Sequence, residues 1–427
     1  MEHLAGRAVE YRGAMRSSAY RPTLRRVDTF FVPDDEHGRV LVLRDMDGVN
    51  SATACVPLGL VPIVARFTGA LTCAQIARDV SADLGRTVTT ALVQELVDAL
   101  EKGLFLEGPA FRSALEGVRK QFREAAVRSA RHAGGAYPAD AAELVTYLDE
   151  RCLNRGLPPA TSRPGRALTA LVAPHIDPGR GAVGYGHAYA ALRDGVAEDA
   201  DTFIVFGTSH APMREPFALC RKGFDTPLGP VPADLDAIDR LAASCPYDPY
   251  TDELNHKQEH SIEFQAVFLK HVLGDRPARI IPILAGLGRQ QADGIDPESD
   301  AGAMALLRAV KDLVEERGRR AVVVAGADLA HVGPRFGDKA ALGPALRADL
   351  ARKDAASLEL AARGEAAGFW RDVVSDVETR RVCGLSAMYA MLRTMKRGST
   401  GEVLHYEQSV DPDDGSIVSH AALAFHA

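Results

Sequence analysis

The sequence predicts an α/β protein: a layered sheet domain, preceded by a small winged-helix-like α+β domain. Three observations predict it. From Arg166 onward, near-continuous apolar runs (ALTALVA, TFIVFG, RIIPILAG, AVVVAGA) alternate with helical stretches. That pattern suits strands buried on both faces and joined by helices. Residues 71–108 read helix, turn, helix, strand. The apolar runs also stop on residues that carry chemistry: His175, His210, Asp328 and His331.

A chain of 427 residues predicts two or three domains. The reading is a module over 1–109, a basic connecting helix over 110–127 and a large domain over 128–427. The net charge of −7 gives no reason to expect nucleic acid as the partner. Six cysteines form no CxxC pair, which suits a reducing compartment. The opening MEHLAGRAVEYRG lacks the apolar core of a signal peptide. No apolar run reaches the ~18 residues of a membrane span. The expectation is a cytoplasmic protein with no membrane partner; the oligomeric state is not legible.

Residues 1–25 read as an arginine-bearing arm. VDTFFV and RVLVLRD alternate around the turn signal DDEHG and predict strands. Leu71-Thr72 opens a helix that Gly85-Arg86 breaks. Thr89 or Thr90 caps a second, with Leu92, Leu96, Val97 and Leu100 on one face. Gly103 ends it, and LFLEG follows as a short strand. Residues 71–108 hold three basic and six acidic side chains, so a phosphate backbone would be repelled. The element order resembles the PqqD-like peptide-binding domains; a packing module is the plain alternative. Residues 110–132 read as a basic, solvated helix with six Arg or Lys. A helix over Ala141–Arg151 and the loop GLPPATSRPG follow.

In open α/β sheets, sites form at the carboxyl ends of strands. ALTALVAP ends in His175, DTFIVFG runs into Thr208-Ser209-His210, and AVVVAGA runs into Asp328 and His331. Cys383 precedes the helical stretch Leu385–Met395, where the helix dipole favours a thiolate. Arg380 and Arg381 are candidates to add to that. In EHSIEFQAVFL, Glu259 and His260 stand at a helix start, where imidazole is pushed toward its neutral form. Glu259 and Glu263, one turn apart, complement the same dipole. Asp177 and Arg180 share a loop with His175 and are candidates for substrate contact. His256, His271, His405, His420 and His426 have no such context. Ser209 lies in no GxSxG elbow, and adjacent strand residues face opposite ways, so a Ser209–His210 hydrolase is disfavoured.

Seven blocks then carry a resemblance: RHAGGAYPAD, LVAPHIDPGRG, IVFGTSHAPM, EHSIEFQAVFL, RIIPILAG, GADLAHVGPRFGD and VCGLSAMYAML. In this order and spacing the chain resembles the MEMO family, itself similar in fold to class III extradiol ring-cleaving dioxygenases. The resemblance spans residues 128–427. It implies a metal site at the strand ends, with His175, His210 and Cys383 at the ligand positions and Asp328 and His331 as an acid–base pair. Glu259 and His260 match a block near the site. Two imidazoles and one anion leave positions open on iron(II); a thiolate keeps copper and zinc as alternatives. The implied function is a non-haem oxidoreductase acting on a small molecule or peptide, with a radical-SAM enzyme as pathway partner. The competing implications are a non-catalytic peptide- or metal-binding adaptor, with Arg180 and the basic helix holding an anion, and a zinc-dependent hydrolase. Relatives read APHAG where this chain has APHID, and some carry histidine in place of Ala211, so no substrate is carried over.

Overall fold

The computed structural model describes residues 19–46, 48–50, 53–155 and 166–427. Most of the arm and the loop GLPPATSRPG lie outside the described residues. The chain divides into two compact units, Met1–Arg123 and Glu124–Ala427.

In the first unit, β1 (Val27–Asp34), β2 (Gly38–Asp45) and β3 (Thr53–Pro57) form an antiparallel sheet in that order. The predicted turn closes through Asp34, whose carboxylate accepts from the Glu36 and His37 amides at 3.1 and 2.7 Å. After a short α1 (Val61–Val64), Thr72 and Gln75 form a reciprocal capping box that starts α2 (Cys73–Leu84). Thr89 caps α3 (Thr90–Lys102) by accepting from the Leu92 amide. The buried row of α3 is Val93, Val97 and Leu100, one step round from the predicted face; it meets Ile76 and Val80 of α2.

The predicted strand LFLEG is not formed. Leu104 takes a left-handed φ of +59°, and Leu106 makes only an isolated bridge to Leu24. Phe105 and Leu106 are both buried, so the alternation a half-buried strand needs is missing. The basic helix, α4 (Pro109–Glu124), is shorter than read and falls almost wholly in the first unit. Arg112, Arg119, Lys120 and Arg123 are exposed as expected. Arg128 is not: it is 1 % exposed, in the two-residue strand β4 (Val127–Arg128).

The second unit runs α5 (Ala141–Tyr147) with a π-helical turn to Leu153, β5 (Leu168–Ala173), α6 (Ala182–Gly195), β6 (Thr202–Thr208), β7 (Phe217–Leu219), β8 (Gly223–Phe224), α7 (Leu235–Ala243), α8 (Ser261–Leu273) and β9 (Arg279–Ala285). Then come α9 (Gly288–Asp293), α10 (Ala301–Arg317), β10 (Ala321–Gly326), β11 (Asp328–Val332), α11 (Pro344–Ala362), α12 (Ala366–Val374), α13 (Val377–Arg380), α14 (Leu385–Thr394), β12 (Thr400–Val410) and β13 (Ile417–His426). The main sheet has the order β11-β13-β5-β10-β6-β9-β7, with β12 also paired to β13. Its centre, β5-β10-β6-β9, is parallel.

Side chains of these strands alternate between two cores. Val172, Ile204, Phe206, Val323 and Ala325 enter one, with α10, α12 and α14; Leu171, Phe203, Val205, Val322 and Val324 enter the other, with α6 and α8. Fully burying a Val, Ile or Phe contributes about 1.5–3 kcal/mol each. Two covered faces thus explain why the strands read as unbroken apolar runs.

Candidate metal centre

Three adjacent parallel strands set the site. Gly326 at the end of β10 is level with Ala173 of β5 and Gly207 of β6. The residues that follow therefore emerge side by side: Pro174-His175, Ala327-Asp328 and Ser209-His210. Asp328 and His331 follow β10, as the sequence indicated, but lie in a strand of their own, β11. β13 is antiparallel to both β5 and β11, pairing through residues 423–426 with β5 and through 417–420 with β11. Consequently β11 continues the line of β5 and carries Asp328 to His175.

Two helix starts complete the pocket, and glycine permits both approaches. A Cβ on Gly326 would stand 2.4 Å from the Ser261 carbonyl oxygen at the head of α8. One on Gly384 would stand 2.4 Å from the Asp328 carbonyl oxygen, so Cys383 and α14 could not come so close.

His175 is buried. Its backbone N–H donates to Asp328 Oδ1 at 2.9 Å, and its Nδ1 lies 3.0 Å from the Gly326 carbonyl oxygen. A carbonyl only accepts, so Nδ1 carries the proton and Nε2 faces the pocket. That Nε2 is 3.4 Å from Cys383 Sγ and 3.7 Å from Asp328 Oδ2. Burial presses His175 toward the neutral form, but Asp328 and then Cys383 outweigh it and lift its pKa to about 9.

His210 stands at the pocket mouth, its side chain 40 % exposed. Its Nδ1 is 3.0 Å from Glu259 Oε1, and its backbone N–H donates to Glu259 Oε2 at 2.9 Å. The same carboxylate accepts from the His260 and Ser261 amides at 2.9 and 3.0 Å. Burial raises the Glu259 pKa, yet His210, through its ring and its amide, and then the His260 ring hold it well below the carboxylate range. Burial lowers His210, and Glu259 outweighs that to raise it. A buried carboxylate orienting an imidazole is the arrangement of metal-ligating histidines.

His260 completes a trio. Ring nitrogens of His175, His210 and His260 all lie within 4.8 Å of one another. Their ring centroids are 5.1, 5.4 and 4.8 Å apart. Burial pushes His260 down to a pKa of about 3, against the pull of Glu259. His132 packs edge-on to it at 5.7 Å, a neighbour the sequence reading left unassigned.

The Cys383 thiol is raised by burial but brought well below its ordinary value by His175 and then His331. The preceding arginines are not the cause. Arg380 is buried and donates to Asp354 and Ser357; Arg381 donates to the His331 carbonyl oxygen at 2.8 Å and to Asp338. His331 Nδ1 is 3.2 Å from the Leu329 carbonyl oxygen, and its ring meets Phe336 edge-on at 5.0 Å. Burial lowers His331, but Cys383 outweighs it and raises its pKa. Arg381, which sequence reasoning tied to the thiol, braces His331 instead.

Asp177 is exposed and accepts from the Gly179 amide at 2.8 Å, closing its own turn. Arg180 donates to the Ser409 hydroxyl and carbonyl oxygens at 3.1 and 3.2 Å. The Ser209 hydroxyl donates to the Ala211 carbonyl oxygen at 2.7 Å, away from His210. Glu263 is not a surface complement to the helix dipole. It is fully buried, ion-paired with Arg128, and accepts from the Tyr137 hydroxyl and the His132 amide.

The sequence model of the family described as Memo-like protein matches residues 128–424. The chain belongs to the MEMO family. A MEMO1 family protein of Aquifex aeolicus is 24 % identical over 392 residues, covering 91 % of this chain and 97 % of its own. That length takes in most of the first unit as well. MEMO1 family proteins of Thermus thermophilus and Methanosarcina acetivorans are 32 % and 31 % identical over 276 and 242 residues, covering 64 % and 56 % of this chain and 75 % and 78 % of theirs. Among the described residues, no helix is long and apolar enough to cross a membrane.

Proposed function

We propose that this MEMO family chain binds a transition-metal ion through His175, His210 and Cys383 and acts as a non-haem, dioxygenase-like oxidoreductase on a small molecule or peptide. The observation that carries the reading is the convergence of the His175, His210 and His260 nitrogens within 4.8 Å, with the Cys383 sulfur 3.4 Å from His175. The donor set fits iron(II) first, with copper or zinc as alternatives. Such an ion supplies open coordination positions for oxygen and substrate.

The remaining roles fall to the chain. Glu259 fixes the His210 tautomer, and the Gly326 carbonyl fixes that of His175. Asp328 anchors the His175 backbone and places its other oxygen against the imidazole. His331, braced through its own carbonyl by Arg381 and set beside Cys383, is the group to take or deliver a proton on substrate.

Oxygen uptake separates enzyme from binder. The iron-loaded chain is presented with catechol-type, thiol-containing and peptide substrates, beside His331→Gln. Uptake that falls on the order of 10²–10⁴-fold in the variant, with metal content unchanged, supports proton transfer by His331. Uptake that is equal in both proteins removes that role. No uptake with any substrate, by a metal-loaded chain, points to the adaptor.

A further inference from the structure

His260 has no assigned role beyond lying near the pocket, yet its geometry is that of a ligand. One of its ring nitrogens lies within 4.8 Å of those on His175 and His210. The ring is fixed between His210, stacked at 4.8 Å and 18°, His132, edge-to-face at 5.7 Å, and Phe264, tilted at 5.2 Å. Two imidazole ligands on a tetrahedral ion, with bonds of about 2.0–2.1 Å, hold their nitrogens about 3.4 Å apart. The nitrogens therefore reach the spacing of a shared ion by side-chain movements on the order of 1 Å, and the His210–His260 stack opens so that both lone pairs meet at the ion. Cys383 reaches the same two histidines independently, through the 3.4 Å contact with His175 and an interaction with His210.

We propose that His260 is a metal ligand and that the centre holds two overlapping donor sets. His175, His210 and Cys383 take a soft ion such as copper(I); His175, His210 and His260 take a less thiophilic divalent ion such as cobalt(II), and iron(II) then draws His260 in place of Cys383. The inference rests on the metal-centre reading above and extends it from where an ion sits to which residue selects it. Thiolate selects copper(I) and imidazole suits iron and nickel, so the third ligand follows the softness of the ion; zinc accepts either donor and is not discriminated. The pocket then discriminates by exchanging one side chain while its two shared histidines stay in place.

The test uses the full-length untagged chain, stripped of metal and handled anaerobically. Cobalt(II) and copper(I) are titrated separately into wild type, Cys383→Ala, His260→Asn and the double variant. Bound metal is measured by elemental analysis, and the cobalt absorption spectrum is recorded for thiolate charge transfer. Fluorescence of Trp370, the only tryptophan and a buried one, verifies the fold of each variant. Cys383→Ala is expected to keep one cobalt per chain while its copper(I) affinity falls roughly 100-fold or more. His260→Asn is expected to show the reverse, and the double variant to bind neither ion firmly. Wild-type cobalt protein is expected to lack a strong thiolate band.

A folded His260→Asn that binds both ions like wild type overturns the inference, as does a folded Cys383→Ala that loses both. A strong thiolate band in the wild-type cobalt protein overturns the division of ions between the two sets. Each of these results leaves the metal centre standing. Failure of wild type to bind either ion removes the centre itself, and the inference with it.

Discussion

Arg128→Met should destabilise the second unit severely, and a second substitution should restore much of the loss. Arg128 and Glu263 are 1 % and 0 % exposed and form an ion pair. The guanidinium also donates to the His256, Glu259 and Ser129 carbonyl oxygens at 3.0, 2.6 and 2.9 Å, and it lies 5.2 Å from the Phe224 ring centroid. Methionine fills much of the volume but leaves Glu263 as a buried charge without its cation. Breaking a buried pair from one side costs about 3–5 kcal/mol. Adding Glu263→Leu removes the orphaned charge, and apolar replacement of both partners is often close to neutral. Here the Tyr137 hydroxyl and the His132 and Arg131 amides also lose an acceptor, so the double variant should remain about 1–3 kcal/mol below wild type. Urea unfolding followed by Trp370 fluorescence reads the second unit alone. A single variant costing under about 1 kcal/mol, or a double variant less stable than the single, would refute the charge-burial argument.

Three further outcomes follow from the same geometry. Glu259→Gln should lower metal affinity roughly 10–100-fold, because the carboxylate that orients His210 is lost; competition titration checks it, and an unchanged affinity counts against that role. Gly326→Ala should destabilise by about 1–3 kcal/mol or more through the 2.4 Å approach to Ser261, read as a lower urea midpoint. His256 is buried, and burial holds it neutral down to a pKa of about 4. Its folded-state pKa is below the unfolded ~6.5, so the stability it contributes is present above pH ~6.5 and is lost as pH falls through 4. The loss is on the order of 3 kcal/mol, and the difference in pH dependence between wild type and His256→Gln measures it.

The parallel strands were legible because burial on both faces leaves an unbroken apolar run, and their ends named His175, His210 and Asp328 directly. The C-terminal hairpin was less legible. β13 is buried along its whole length, but SHAALAFH is rich in alanine and histidine, a composition that does not single out a strand. Without β13 there was no reason to place β11 in line with β5, so Asp328 and His331 read only as residues that follow β10. Arg128 looked like one more basic residue because its partner Glu263 is 135 positions away, a separation no local pattern spans. The causes of pKa shifts were misassigned for the same reason: Arg380 and Arg381 are neighbours of Cys383 in sequence, whereas His175 and His331 are its neighbours in space.

The central claim is that His175 and His210 hold a metal ion, whichever third ligand joins them. Elemental analysis of the chain after anaerobic purification, beside His175→Ala of verified fold, tests it most directly. The account predicts roughly one transition-metal ion per wild-type chain and next to none in the variant. Equal metal in both proteins, or none in wild type even after reconstitution with iron(II), copper(I) and zinc(II), would contradict it.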